Sequence, residues 1–157
     1  MNALLLLLPT FLAPVHDEDL YAALDLAGDN RAEIEAALEN APEDQRKGMH
    51  WLVEHMPERD LLELDAEYLL ENCEHAYAAW RAAPWHEAVS EDVFFDAVLP
   101  YASINERRDR WRADFRKRFG PLVAEAKTPS EAAAILNNKI YGILNVIYST
   151  KRPKADQ

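Results

Sequence analysis

The chain has 157 residues, 49% of them apolar and 29% charged, with a formal net charge of -11 and a single cysteine. That length makes one domain with room for a real core, and four glycines among many Ala, Leu, Glu and Arg residues favour helix over strand and turn. Cys73 alone excludes an internal disulfide and says little about compartment.

The charge is unevenly divided. Residues 1–80 hold 18 acids and 4 bases, net -14, and residues 81–157 hold 10 acids and 13 bases, net +3. The two halves attract each other, and the basic surplus is too local to offer phosphate a whole face, which argues against nucleic acid as a partner.

Residues 1–15, MNALLLLLPTFLAPV, form an apolar run shorter than the roughly 20 residues of a membrane-spanning helix, so no stable membrane span is expected. Its length suits the apolar region of a signal peptide. No Lys or Arg precedes Leu4, and Ala13 is followed at once by Pro14. Two readings stand: a signal peptide directing export to the periplasm or the exterior, or an apolar N-terminal arm of a cytoplasmic protein.

Residues 16–147 read as one all-α domain, an irregular array or bundle of about seven helices. Asp17 caps a short helix with Leu20, Tyr21 and Leu24 on one face, and Gly28 stops it. Asn30 with Glu33 forms a capping box for a second helix whose stripe is Ile34, Ala37 and Leu38. Pro42 suits the first turn of a third, with Met49, Leu52, Val53 and Met56 facing the core until Pro57. Asp60 or Asp65 opens the longest helix, which carries Tyr68, Leu69, Cys73, Ala76, Tyr77 and Trp80 at intervals of three and four and ends before Pro84.

On that face Cys73 is a core residue. A nucleophilic thiol needs a helix N-terminus or a nearby cation to lower its pKa, and Cys73 sits mid-helix between Asn72 and Glu74. His50, His55, His75 and His86 show no metal-binding spacing: His50 and His55 are five apart, and no His-Glu-x-x-His or Cys-x-x-Cys pattern occurs. No metal or cofactor is expected.

Ser90 introduces a helix that buries Val93, Phe94, Ala97 and Val98 and closes at Pro100. Residues 101–105 make a turn, and Asn105 or Ser103 is placed to cap the next helix, ERRDRWRADFRKRFG. That helix packs Trp111, Phe115 and Phe119 on one side and crowds Arg107, Arg108, Arg110, Arg112, Arg116, Lys117 and Arg118 around the others, with Asp109 and Asp114 as local partners. The last helix has the clearest start, with Thr128 as cap, Pro129 in the first turn and Glu131 completing a capping box. Ala132, Ile135, Leu136, Ile140, Ile143 and Leu144 line its core face to about Asn145, and residues 148–157 read as a polar, basic connector.

The stretches VLPYASINERRDRWR (residues 98–112) and LNVIYSTKRPKADQ (residues 144–157) resemble the region just upstream of the catalytic core in a group of bacterial transglutaminase-like proteins, within the superfamily that shares the papain-type cysteine fold. The resemblance covers roughly residues 60–157. In that family a nucleophilic Cys opens a helix shortly after the segment matching Tyr148–Gln157, and a His and an Asp follow on strands. A thiolate attacks an amide carbonyl, the imidazole holds and returns the proton, and the carboxylate fixes the imidazole. Cys73 lies too early to be that nucleophile, and no histidine follows His86.

The resemblance therefore implies the N-terminal helical part of such an enzyme, ending before the catalytic core, with no catalytic residue of its own. Its partners are then its own downstream catalytic domain and, in the intact enzyme, a protein or peptide substrate. On this reading Tyr101, Ser103, Asn105, Arg107 and Arg108 face the downstream site and support substrate or core. Arg110, Trp111 and Arg112 dock the domain, and Tyr148, Lys151 and Arg152 belong to the connector. The plainer alternative for the turn is that Asn105 caps a helix and Tyr101 fills a corner. For the whole chain the alternative is a helical protein-interaction module with a basic docking helix and no catalytic role, whose association is salt-sensitive.

Overall fold

The computed structural model describes residues 17–103 and 106–146. Among these the backbone is all helical with no strand: α1 (Asp17–Leu26), α2 (Arg31–Asn40), α3 (Arg46–His55), α4 (Glu58–Glu63), α5 (Ala66–Ala82), α6 (Glu91–Ala97), α7 (Trp111–Val123) and α8 (Pro129–Leu144), with 3-10 turns at Gly28–Asn30, Glu43–Gln45 and His86–Ala88. The apolar arm at residues 1–15, Asn105, and the connector residues Tyr148, Lys151 and Arg152 lie outside the described residues.

Helix α5 is the axis. It starts where Asp65 accepts from the Tyr68 N–H at 2.6 Å, an N-cap that satisfies one of the orphan donors of the first turn. One side of α5 packs on α2 and α3 and another on α7, while α1 closes over α3 and α4, and α8 packs chiefly on α7. Ile34, Met49, Val53, Leu61, Leu69, Phe94 and Leu99 are fully buried where these faces meet. Phe94 stacks on Trp80 at 4.4 Å and meets Tyr77 edge-on at 4.7 Å, which brings α6 against α5. The crossing of α3 over α5 needs Gly48, because a Cβ there would stand 2.5 Å from Tyr77 Oη.

Several local expectations change. Asn30 and Glu33 make no capping box. Asn30 Nδ2 donates to the Leu61 and Leu64 carbonyls at 2.8 Å each, and Glu33 Oε2 accepts from the Ala66 N–H at 2.9 Å. Both residues instead tie the start of α2 to the turn between α4 and α5, where carbonyls and an N–H need partners. That turn exists because α4 is a separate short helix, so Asp65 alone opens α5. Pro42 precedes a 3-10 turn, and α3 begins at Arg46.

Tyr21 is 60% exposed, since the buried stripe of α1 runs through Leu20, Ala23 and Leu24. Val93, 53% exposed, and Ala97 share the outer face of α6, because Phe94, Phe95 and Leu99 set its inner face. The basic helix starts at Trp111, five residues later than the periodicity predicts, and continues through Pro121 to Val123. Its proline falls in the last turn, so the bond that it cannot donate is lost near the end of the helix and not in its middle.

The start of α8 matches its sequence signals. Thr128 Oγ1 accepts from the Glu131 N–H, Glu131 Oε2 accepts from the Lys127 N–H, and Asn145 ends the helix with a left-handed φ of 53°. Its apolar face is only partly covered: Ala132 is buried, Ile135, Leu136, Ile140 and Leu144 are half-buried, and Ile143 is exposed.

Candidate functional site

The residues singled out between Pro100 and Arg112 converge on two buried polar side chains of the acidic half. The first is Asp60 on α4, whose side chain is 2% exposed. It accepts from Tyr101 Oη at 2.8 Å and from Arg108 through Nε at 2.9 and 3.0 Å and Nη2 at 2.9 Å. The Arg108 guanidinium also lies over the Tyr101 ring, 5.4 Å from its centroid, and Tyr68 meets that ring edge-on at 5.5 Å. A two-pronged arginine–carboxylate contact fixes orientation as well as charge.

The second is Asn72 on α5, 4% exposed. Its Nδ2 donates to the Leu99 carbonyl at 2.9 Å, and its Oδ1 accepts from Arg112 Nε at 2.5 Å. Arg112 Nη2 donates in turn to the carbonyls of Val98, Leu99 and Pro100 at 2.7, 3.1 and 2.8 Å. These carbonyls follow the end of α6, where helical partners run out, so Arg112 closes that helix from outside. Trp111 Nε1 donates to the Tyr101 carbonyl at 3.1 Å.

Arg110 spans three carboxylates at the start of α5: Glu71 at 2.8 Å, Glu67 at 3.1 Å and Asp65 at 3.5 Å. This explains the late start of α7. Arg108 and Arg110 reach α4 and α5 from a backbone that is not helical over residues 106–110, and the bonds they gain outweigh a turn of helix that residue type favours by tenths of a kcal/mol per position. Ser103 does not cap a helix: its N–H donates to Glu106 Oε2 at 3.1 Å, and the Glu106 carbonyl accepts from Arg108 Nη1. Arg107 is exposed and pairs with Asp109 at 3.1 Å.

The electrostatics are those of a structural junction. Burial, then the hydrogen bond to Asp60, hold the Tyr101 hydroxyl far above its ordinary pKa. The hydrogen bond to Asp60 raises Arg108. Burial lowers Arg112, and no carboxylate among the described residues pairs with it. Burial also pushes the Cys73 thiol up to about 12 against the pull of nearby Arg112, so Cys73 is a core residue with no thiolate to offer near neutrality. Among the described residues no cluster of three His, Cys, Asp or Glu is placed to hold a metal, and no helix is long and apolar enough to cross a membrane.

Of the residues named from sequence, Tyr101, Arg108, Trp111 and Arg112 come together, Arg110 joins them at the edge, and Ser103 and Arg107 lie at the rim. Asp60 and Asn72 were missed as members. Their signal was present: each is a polar residue on an apolar stripe, Asn72 beside Leu69, Cys73 and Ala76, and Asp60 beside Met56 and Leu64. Searches of protein-family models, of curated proteins and of solved structures returned no match to this chain.

Proposed function

We propose that this chain is a non-catalytic helical support, the N-terminal helical part of a transglutaminase-like cysteine enzyme, which packs on a downstream core that acts at amide bonds by acyl transfer or hydrolysis. The observation that carries this reading is where the buried polar groups go. Asp60 and Asn72, two of the three buried polar side chains among the described residues, both hold the 98–112 stretch that bears the resemblance. A turn fixed by that many bonds is pre-organised to present its outer edge, Ser103 and Arg107, to a neighbouring domain without an ordering cost at each encounter. The partly covered apolar face of α8, next to the connector, supplies a second surface for the same neighbour.

The alternative, a free docking module acting through a basic helix, draws less support. Arg108, Arg110 and Arg112 are engaged inside the chain and Arg118 pairs with Asp114 at 2.8 Å, which leaves Arg116 and Lys117 without ion pairs among the described residues.

The test is to read the gene past the codon for Gln157 and to assay the chain itself. A Cys at the start of a helix followed by His and Asp on strands, with no transamidation or peptide hydrolysis by residues 1–157 alone, supports the proposal. A stop codon with no such core, or turnover by the chain alone, refutes it. Export belongs to the same proposal. N-terminal sequencing of the mature protein checks it, a start at Met1 counting against it.

A further inference from the structure

Between α5 and α7 lies a groove of about 470 Å³, within the range of about 300–1,000 Å³ typical of ligand sites. Its lining is rich in aromatic side chains, Trp85, Trp111, Phe115 and Phe119, together with small residues that include Ala79 and Ala82. The walls hold their own geometry, Phe115 meeting Trp111 at 5.3 Å and Phe119 at 5.1 Å, each edge-on. Trp111 and Arg112 belong both to this groove and to the junction described above, whereas Asp60, Tyr101 and Arg108 do not line it.

Two polar features in the lining are incompletely satisfied. Arg112 lines the groove, and its Nε and Nη2 are engaged by Asn72 and three carbonyls, while Nη1 donates to no group among the described residues. The contrast with its neighbours is chemical. Arg108 and Arg110 each face carboxylates, whereas this half-buried guanidinium has only neutral acceptors, and a desolvated cation gains most from a carboxylate. His75 also lines the groove, with a buried Nδ1 that has no hydrogen-bond partner among the described residues and its Nε2 3.8 Å from Glu71.

The geometry points to a binding site for a short apolar peptide segment that presents one carboxylate to Arg112 and seats aromatic or aliphatic side chains between Trp85 and Phe115. Charge complementarity selects the carboxylate, and the open form of the trough selects a peptide over an enclosed small molecule. From His75 to Ala82 the α5 wall runs about 10 Å at 1.5 Å per residue, the length of about three extended residues. This site stands apart from the function proposed above, since the groove lies on the α5–α7 face whether or not a catalytic core follows.

The test titrates the full 157-residue chain into fluorescently labelled acetyl-Phe-Glu-Phe-amide and reads anisotropy, with the Phe-Gln-Phe peptide, unlabelled 3-phenylpropionate and the groove-filling variants Ala79→Trp and Ala82→Trp as comparisons. Both alanines are exposed, so two independent fillers guard against a variant that fails to fold, with circular dichroism as the check. Saturable binding of the Glu peptide, at least about tenfold tighter than the Gln peptide, as a charge-assisted contact supplies, and weakened as much by a folded filler variant, supports the site. Equal affinity for the two peptides, no saturable binding, or affinity unchanged by the fillers overturns it. Competition by 3-phenylpropionate at concentrations equal to the peptide reassigns the groove to a free carboxylate. Self-association abolished by the fillers reassigns it to a second copy of the chain. Either result overturns the peptide assignment.

Discussion

Replacing Asp60 by alanine removes the acceptor of Tyr101 Oη and of the Arg108 fork in one step. Taking one partner from a buried ion pair costs about 3–5 kcal/mol, because the other charge stays behind without compensation. Asp60 is 2% exposed and Arg108 18%, so water reaches part of the abandoned guanidinium and the ion-pair loss falls at the low end of that range. The stranded Tyr101 hydroxyl, on a residue 7% exposed, adds about 1 kcal/mol. The expected loss is therefore about 3–4 kcal/mol, a large fraction of the stability of an ordinary domain. Urea titration followed by far-UV circular dichroism reads it as a lower midpoint at unchanged slope. The double variant Asp60→Leu with Arg108→Met, which replaces the pair by apolar groups of similar size, recovers most of the loss, since such swaps are often near neutral. A cost below about 1 kcal/mol for Asp60→Ala, or a double variant no better than the single one, refutes the reasoning.

Gly48→Ala places a Cβ 2.5 Å from Tyr77 Oη and 2.9 Å from its Cε2. The clash outweighs the roughly 1 kcal/mol of helix propensity gained, and thermal melting shows a lower Tm; an unchanged or higher Tm contradicts the close α3–α5 crossing. Cys73 predicts alkaline lability. Its folded pKa is raised from 9.0 to about 12, so its contribution is fully present below pH 9 and is lost as pH rises towards 12, by about 1.4 kcal/mol per pH unit for one proton. Tyr77, raised from 10.0 to about 12 by burial, steepens the same fall. Urea titrations across this range show a shallower slope for Cys73→Ala than for the unaltered chain, and equal slopes contradict the assignment. In the same vein the thiol stays unreactive to a disulfide reagent at neutral pH until urea unfolds the chain, whereas prompt reaction contradicts its burial.

Elements that depend on local chemistry were legible in the sequence. Asp65, Ser90 and Thr128 each cap the helix they precede, Asn145 ends α8, and the all-helical class follows from the spacing of apolar residues and the scarcity of glycine. Elements that depend on distant partners were not. Asn30 and Glu33 have the spacing of a capping box, and nothing local reveals that the Leu61 and Leu64 carbonyls and the Ala66 N–H lie within reach. The arginines after Glu106 have the composition of a helix, and only the positions of Asp60 and Glu71 explain why the backbone stays non-helical to Arg110. Tyr21 and Val93 mark the limit of apolar periodicity, which finds a stripe and leaves its edges open. For the junction itself, Tyr101, Arg108 and Arg112 stood out by type, while the side chains that hold them are single polar residues on otherwise apolar faces.

The central claim, that the basic stretch is an internal structural element and not a free charged surface, is tested most directly by amide-type exchange at the arginine side chains. Nitrogen-15 NMR resolves arginine Nε–H groups. Those of Arg108 and Arg112 are bonded to Asp60 and Asn72, while Arg116 is exposed with no ion pair among the described residues. Arg108 and Arg112 are expected to exchange on the order of a hundredfold or more slowly than Arg116, with protection lost only on unfolding of the α4–α5 region. Exchange of all three at one rate would contradict it.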